Sequence, residues 1–200
     1  LAKSLAEDYT IDQSLRFDKP SSDGLTRTPA SEGNRKTFTI SAWFKRGNLD
    51  RGYLLSAGTN RGTDEDGFGL DGNQFRFWSY VSSSFRYQLT TDALYRDPSA
   101  WYHAVCVLDT TQSTESDRAK MYINGEEVTD FAIDTYPAED SESGYMNNTN
   151  EHCVGFVLDA EYFDGYIAEL YFIDGTAYDA DDFGETDSAT NQWKPIDASG

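Results

Sequence analysis

Carboxylates dominate the chemistry open to this sequence: 35 Asp and Glu stand against 16 Lys and Arg and two His, for a formal charge of −19. Two acidic clusters stand out. Asp64, Glu65, Asp66 and Asp71 surround one expected hairpin end, and Asp159, Glu161 and Asp164 crowd another connection. Hard cations take clustered carboxylate and carbonyl oxygens on loops, so Asp64, Asp66 and Asp71 form a candidate calcium site. The plainer alternative is a solvated acidic loop. Neither cluster has the Asp-x-Asp-x-Asp-Gly spacing of an EF-hand, and Cys106, Cys153, His103 and His152 do not pair at zinc-ligand spacing.

Glycoside hydrolysis needs two carboxylates on one strand face, about 5 to 5.5 Å apart in a retaining enzyme. That pattern is missing: Asp64-Glu65-Asp66 lies in an expected Gly-flanked loop and Glu169 stands alone in its strand. His103 and His152 both fall in expected strands without a nucleophile elbow, so each reads as structural. No catalytic residue is assigned, and the chain reads as a non-enzyme.

Aromatic residues make up 14% of the chain and supply a second kind of chemistry. In Phe75-Arg76-Phe77-Trp78-Ser79-Tyr80, strand alternation that buries Phe75 and Phe77 turns Arg76, Trp78 and Tyr80 to the other face. With Arg86 and Tyr87 from the next strand they form a ring-plus-Arg strip able to stack on sugars or to anchor a protein partner. Ordinary inter-sheet packing is the alternative.

The elements that would carry these residues are β-strands. Expected strands cover Ser14–Phe17, Thr37–Arg46, Tyr53–Ala57, Phe68–Leu70, Gln74–Val81, Phe85–Thr90, Trp101–Leu108, Arg118–Ile123, His152–Leu158 and Gly165–Ile173. Asn124-Gly125 predicts a two-residue type I′ hairpin, and Asp71-Gly72-Asn73 reads the same way. The polar stretches Asn60–Gly67 and Asp134–Glu151 read as surface loops. One short helical turn is expected at Ala180–Phe183, capped by Asp179. The fold class is all-β, a two-sheet antiparallel jelly-roll sandwich over residues 14–184, with an arm at 1–13 and a tail or linker at 185–200.

The acidic balance argues against nucleic acid, since a polyanion would lose its counterions with few basic side chains to replace them. It suits solubility or salty water, where at about 0.5 M ionic strength the screening length falls to roughly 4 Å. No apolar run approaches a membrane span. A Cys106–Cys153 disulfide would need Cα atoms within about 7 Å; two buried free thiols are the alternative. The chain starts at Leu1 and stops after Ala198-Ser199-Gly200, which reads as a processed form or a piece of something longer.

Four segments in order resemble the concanavalin A-like, laminin-G-like jelly rolls. They are Ser14–Asp18 with Phe38–Lys45, then Trp101–Asp109, then Ala119–Glu126, then Phe163–Leu170. The closing runs Ile173–Ala177, Asp182–Glu185 and Trp193–Pro195 are similar to versions in structural proteins of tailed, especially marine, phages. The resemblance implies a non-catalytic virion module, a capsid decoration, fibre or tail component, located on the particle surface. It implies other virion proteins or copies of itself, as a homotrimer, as partners. The alternative it leaves open is a carbohydrate-binding module for host-surface glycan. Relatives often place Asp-Glu where this chain has Ala168-Glu169, and that Asp commonly helps hold a structural calcium ion, so the departure weakens a calcium site.

Overall fold

Apolar residues at alternate positions drive segments of this chain to pair as strands with one face dry, and turn residues set where each pairing stops. The computed structural model describes residues 9–198. Its strands are β1 (Leu15–Phe17), β2 (Leu25–Arg27), β3 (Thr37–Arg46), β4 (Gly52–Asn60), β5 (Asp64–Asp71), β6 (Gln74–Val81), β7 (Ser84–Thr91), β8 (Trp101–Asp109), β9 (Ala119–Ile123), β10 (Glu126–Glu127), β11 (Phe131–Thr135), β12 (His152–Val154), β13 (Gly165–Asp174), β14 (Gly184–Thr186) and β15 (Trp193–Pro195). Six strands form one antiparallel sheet in the order β1-β13-β3-β8-β9-β10, and seven form the other in the order β11-β7-β6-β5-β4-β12-β2. Strands far apart in sequence lie side by side, as a jelly roll requires. Among the described residues, helix is confined to single 3₁₀ turns, including Ala180–Asp182 with Asp179 as its cap.

The core lies between the two sheets. Phe38, Ile40, Ala42 and Phe44 of β3 and Ala104, Cys106 and Leu108 of β8 face Phe68 and Leu70 of β5, Phe75 and Phe77 of β6 and Leu89 of β7, all fully buried. Each such ring or branched chain contributes about 1.5 to 3 kcal/mol by leaving water. Cys106 lies in the six-stranded sheet and Cys153 in the seven-stranded one, and both are free thiols.

Two turns set the registers beside the candidate sites. Asn124 and Gly125 both take positive φ, 52° and 84°, and join Ile123 to Glu126 as the expected hairpin. A Cβ at Gly125 would overlap the Trp193 ring, so this glycine serves both the turn and a close approach. Ser82 and Ser83 also take positive φ, 49° and 62°, and close the β6–β7 hairpin. Serines carry no strong signal for that geometry, and they are held there from outside: Ser82 N–H donates to Asp64 Oδ1 at 2.9 Å and Ser83 N–H to the Thr63 carbonyl at 3.0 Å.

Four expectations change, the first at Asp134–Glu151, which begins inside β11 and buries Ser143 and Met146 completely, so it is not a surface loop throughout. The stretch Asn60–Gly67 is a tight hairpin, with β4 running to Asn60 and β5 starting at Asp64, so the acidic triplet is strand rather than loop. The strand expected at His152–Leu158 stops at Val154. Glu185 falls inside β14, which pairs with β15, and the pair packs on the outer face of the six-stranded sheet through Phe183 and Trp193. Residues 185–195 are therefore part of the fold's surface layer. Of the arm expected at 1–13, residues 1–8 lie outside the described residues; Tyr9 OH donates to Glu169 at 3.0 Å.

Candidate functional site

The ring-plus-Arg strip has the expected facing but not the expected exposure. Arg76, Trp78 and Tyr80 do turn away from the core, yet Trp78 is only 1% exposed. Its ring lies over Gly67, where a Cβ would collide with it, and packs on Tyr53 at 4.7 Å and on Val157. The Arg76 guanidinium fills the remaining space, 4.6 Å from the Trp78 ring centre and 5.1 Å from that of Phe85. With Asp71 at 3.3 Å from Arg76, this face is a closed cation–π stack. Trp78 is thus removed from the sugar-stacking candidates, because 155–164 covers it. Tyr87 is removed as well: alternation points it into the core, where its hydroxyl meets Ser143 Oγ at 3.1 Å. Arg86 is exposed and donates to the Glu142 carbonyl at 2.8 Å.

Asp64, Asp66 and Asp71 do not come together. Asp64 and Asp71 stand at opposite ends of β5, seven residues or roughly 23 Å apart. Asp66 is sealed inside: Oδ2 accepts from Ser143 Oγ at 2.6 Å, Tyr145 N–H at 2.6 Å and Met146 N–H at 2.8 Å. Burial pushes its carboxyl pKa up although these bonds pull the other way. Asp64 accepts from Tyr145 OH at 2.8 Å, and Asp71 pairs with Arg51 at 2.5 Å. In the second cluster, Glu161 pairs with Arg61 at 2.7 Å and Asp164 with Arg16 at 2.7 Å. These carboxylates are structural anchors. Among the described residues, no three His, Cys, Asp or Glu side chains gather as a metal site, so the donors do not fit the calcium expectation.

What the structure does bring together is tryptophan, on the outer face of the six-stranded sheet. Trp43 of β3 and Trp101 and His103 of β8 share that face by parity, opposite to Phe44 and Tyr102. Trp43 stacks on the His103 ring at 4.7 Å, and Trp193 arrives from β15 to donate its Nε1–H to His103 Nδ1 at 3.0 Å. Burial holds the His103 pKa down at about 3, so the ring is neutral. Indole N–H only donates, so His103 Nδ1 accepts and its Nε2–H donates to Ser41 Oγ, 2.8 Å away. His103 is a structural hub, as its strand position suggested, and His152 is likewise tied, to the Asn150 carbonyl and Asn147 N–H.

Around this hub, Trp101 is 40% exposed and Tyr166 39%, with ring centres 6.4 Å apart. Trp43, Trp101 and Trp193 form a wall shared by two hollows. One, of about 1000 Å³, also has Asn124, Glu126, Asp130 and Gln192 in its lining. The other, of about 320 Å³, is closed by Ile11, Ala168 and Pro195. Asn124 is fixed by both of its ties to His103: its Oδ1 accepts the His103 N–H and its own N–H donates to the His103 carbonyl, each at 2.8 Å. Strand parity in Trp43 and Trp101-Tyr102-His103 was the signal for this face; nothing local linked Trp193 to it.

These features define a two-sheet sandwich with an aromatic-walled surface groove. The family profile described as the concanavalin A-like lectin/glucanases superfamily matches residues 20–181, and the chain belongs to that superfamily. Among solved structures, domains LG4-5 of the mouse laminin α1 chain align with a TM-score of 0.59 at 11% identity, covering 89% of this chain and 48% of that one. The binding domain of Paraclostridial Mosquitocidal Protein 1 aligns at 0.56 with 12% identity, over 83% and 41% of the two chains. Domain 4 of AbnA, an extracellular arabinanase of Geobacillus stearothermophilus solved with arabinotriose, aligns at 0.50 with 19% identity, over 72% and 64%. The chain thus spans between 41% and 64% of the lengths of these three structures. No curated protein matches the chain.

Proposed function

We propose that this chain is a non-catalytic carbohydrate-binding module that holds glycan in the groove walled by Trp43, Trp101 and Trp193. The single observation that carries the reading is the half-open Trp101–Tyr166 pair beside a roughly 1000 Å³ groove with amide and carboxylate neighbours. Sugar rings stack their C–H faces on indoles, while fixed polar groups take the hydroxyls. The His103 hub supports this use, because Trp43 and Trp193 are locked to the sheet before any ligand arrives. The solved AbnA domain with arabinotriose supports a glycan on this fold. A non-catalytic role is favoured because Asp64, Asp66 and Asp71 of β5 are committed to internal hydrogen bonds and ion pairs.

The test is a glycan array followed by calorimetry on the isolated chain and on Trp101→Ala. Saturable binding that Trp101→Ala loses, with the fold intact by circular dichroism, supports the proposal. Binding that survives in Trp101→Ala, or hydrolysis of a bound polysaccharide, overturns it. Display on a phage particle rests on the sequence resemblance over Ile173–Ala177 and Trp193–Pro195, and is a separate proposal about setting. Mass spectrometry of purified particles tests it by the presence of this chain among their proteins.

A further inference from the structure

The rings of the groove say that a sugar can stack there; its charges say which sugars. The large hollow is rimmed by Asp92, Glu126, Glu127 and Asp130, all exposed, and among the described residues no Lys, Arg or His contributes to its lining. The small hollow adds Asp12 and one cation, Lys194, whose amine lies 3.2 Å from Glu185 and 3.9 Å from Asp187. Lys120 stands nearby, between Asp117 at 3.1 Å and Glu127 at 3.7 Å. Two cations flank the Trp101–Tyr166 pair outside the lining of either hollow: Lys45, paired in register with both rings, and Arg16, 5.4 Å from the Tyr166 ring centre and itself paired with Asp164 at 2.7 Å. The rest of the chain adds to the same sign, at −19 overall.

From this we infer that the groove selects uncharged glycans and rejects carboxylated or sulfated ones; the inference rests on the glycan-binding reading above. A uronate, sialate or sulfate on a sugar stacked at Trp101 would share the hollow with the rim carboxylates and be repelled by them over a screening length of roughly 8 Å at physiological salt. A neutral pyranose or furanose chain meets no such repulsion. Its hydroxyls donate to carboxylate oxygens, which accept on several lone pairs each, and such charge-assisted bonds are shorter and stronger than neutral ones. The acidic rim is thereby a hydroxyl-binding surface as well as a filter.

Calorimetry with hexasaccharides tests this on the intact chain: arabino-, xylo-, manno- and cellohexaose as neutral probes, against hexagalacturonate and a heparin hexasaccharide, in 0.02 M and 0.5 M NaCl. The expected result is Trp101-dependent binding of a neutral hexamer, with both acidic probes weaker by about tenfold or more in low salt, and that gap narrowing in high salt as screening takes effect. The triple variant Asp92→Asn, Glu126→Gln, Asp130→Asn is expected to raise the affinity for hexagalacturonate by about tenfold in low salt, since each charge removed weakens the same repulsion. An acidic hexamer that binds as tightly as every neutral one, and loses that binding in Trp101→Ala, overturns the selectivity while leaving the glycan site standing. Silence from all probes, together with a blank glycan array, overturns the glycan reading itself.

Discussion

The Nε1–H of Trp193 points at Nδ1 of His103, 3.0 Å away, across 90 residues of sequence. This one bond fixes the tautomer of a buried imidazole and ties β15 to the sheet beneath it. Its loss has two costs, a buried acceptor without a donor, about 1 to 3 kcal/mol, and the packing of the indole against Gly125 and Gly184. Trp193→Phe, which keeps most of the packing, is expected to destabilise the protein by about 1 to 3 kcal/mol in urea denaturation, and Trp193→Ala by more. Equal midpoints for Trp193→Phe and the parent would show that the bond contributes nothing.

The same imidazole predicts a pH dependence. Its folded pKa of about 3 lies below the unfolded value of about 6.5, so the unfolded chain takes up a proton that the folded chain excludes. Stability from this group is complete above pH 6.5 and falls steadily as the pH drops towards the folded value. Between pH 7 and pH 5 the loss amounts to about 2 kcal/mol. His103→Gln, which cannot titrate, is expected to be less stable at pH 7 but flatter over this range. His152 shifts in the same direction from burial and is present in both proteins, so the difference in slope isolates His103. Parallel curves would refute the assignment.

Asp66 behaves in the opposite sense. Its folded pKa is raised, so protonation favours the folded state in acid, and that benefit is lost as the pH rises through the folded value. At neutral pH the buried charge is a burden that its three donors only partly offset. Asp66→Asn is therefore expected to hold its stability at pH 7 to within about 1 kcal/mol, whereas Asp66→Ala, which strands Ser143 Oγ and the N–H groups of Tyr145 and Met146, should lose about 2 to 4 kcal/mol. Thermal melts of the pair at pH 7 decide it; equal losses would mean that the charge itself is what the site needs.

Asp66 also shows where reading the sequence stops. The strands that repeat apolar parity, β3, β8, β9 and β13, were legible because local alternation and the Asn124-Gly125 turn encode them. The acidic triplet at 64–66 looked like a loop because its satisfaction comes from Ser143, Tyr145 and Met146, nearly 80 residues downstream. Trp193 looked like part of a tail because its partner is His103. Trp78 takes the face that strand alternation predicts, but its cover, Val157, comes from a connection whose path no periodicity describes. Local chemistry set facing; burial depended on contacts between distant segments.

The Ser82-Ser83 turn offers a gain of stability. Both residues hold left-handed backbone at φ 49° and 62°, a conformation that costs a serine roughly 1 to 2 kcal/mol and that Asn-Gly adopts cheaply. Replacing the pair with Asn-Gly keeps the Ser82 N–H bond to Asp64, since the backbone supplies it. A rise of about 0.5 to 1 kcal/mol is expected in chemical denaturation. A fall would mean that the serine side chains make contacts that outweigh the backbone strain.

The two tryptophans that compete for the role of glycan platform separate in a single comparison. Trp78 is sealed by Tyr53, Gly67, Val157 and Arg76, so Trp78→Ala opens a cavity and is expected to cost about 3 to 5 kcal/mol of stability. Whatever part of that variant remains folded should bind glycan with the parent's affinity, because nothing at the groove has changed. Trp101 is 40% exposed, with its ring tilted towards Tyr166 at 6.4 Å, so Trp101→Ala should cost less than about 1 kcal/mol yet abolish binding. Denaturation and calorimetry on the two variants side by side read both quantities. The reverse pattern, a stable Trp78→Ala without binding and a Trp101→Ala that still binds, would return the platform to the seven-stranded sheet and require the connection 155–164 to lift off it.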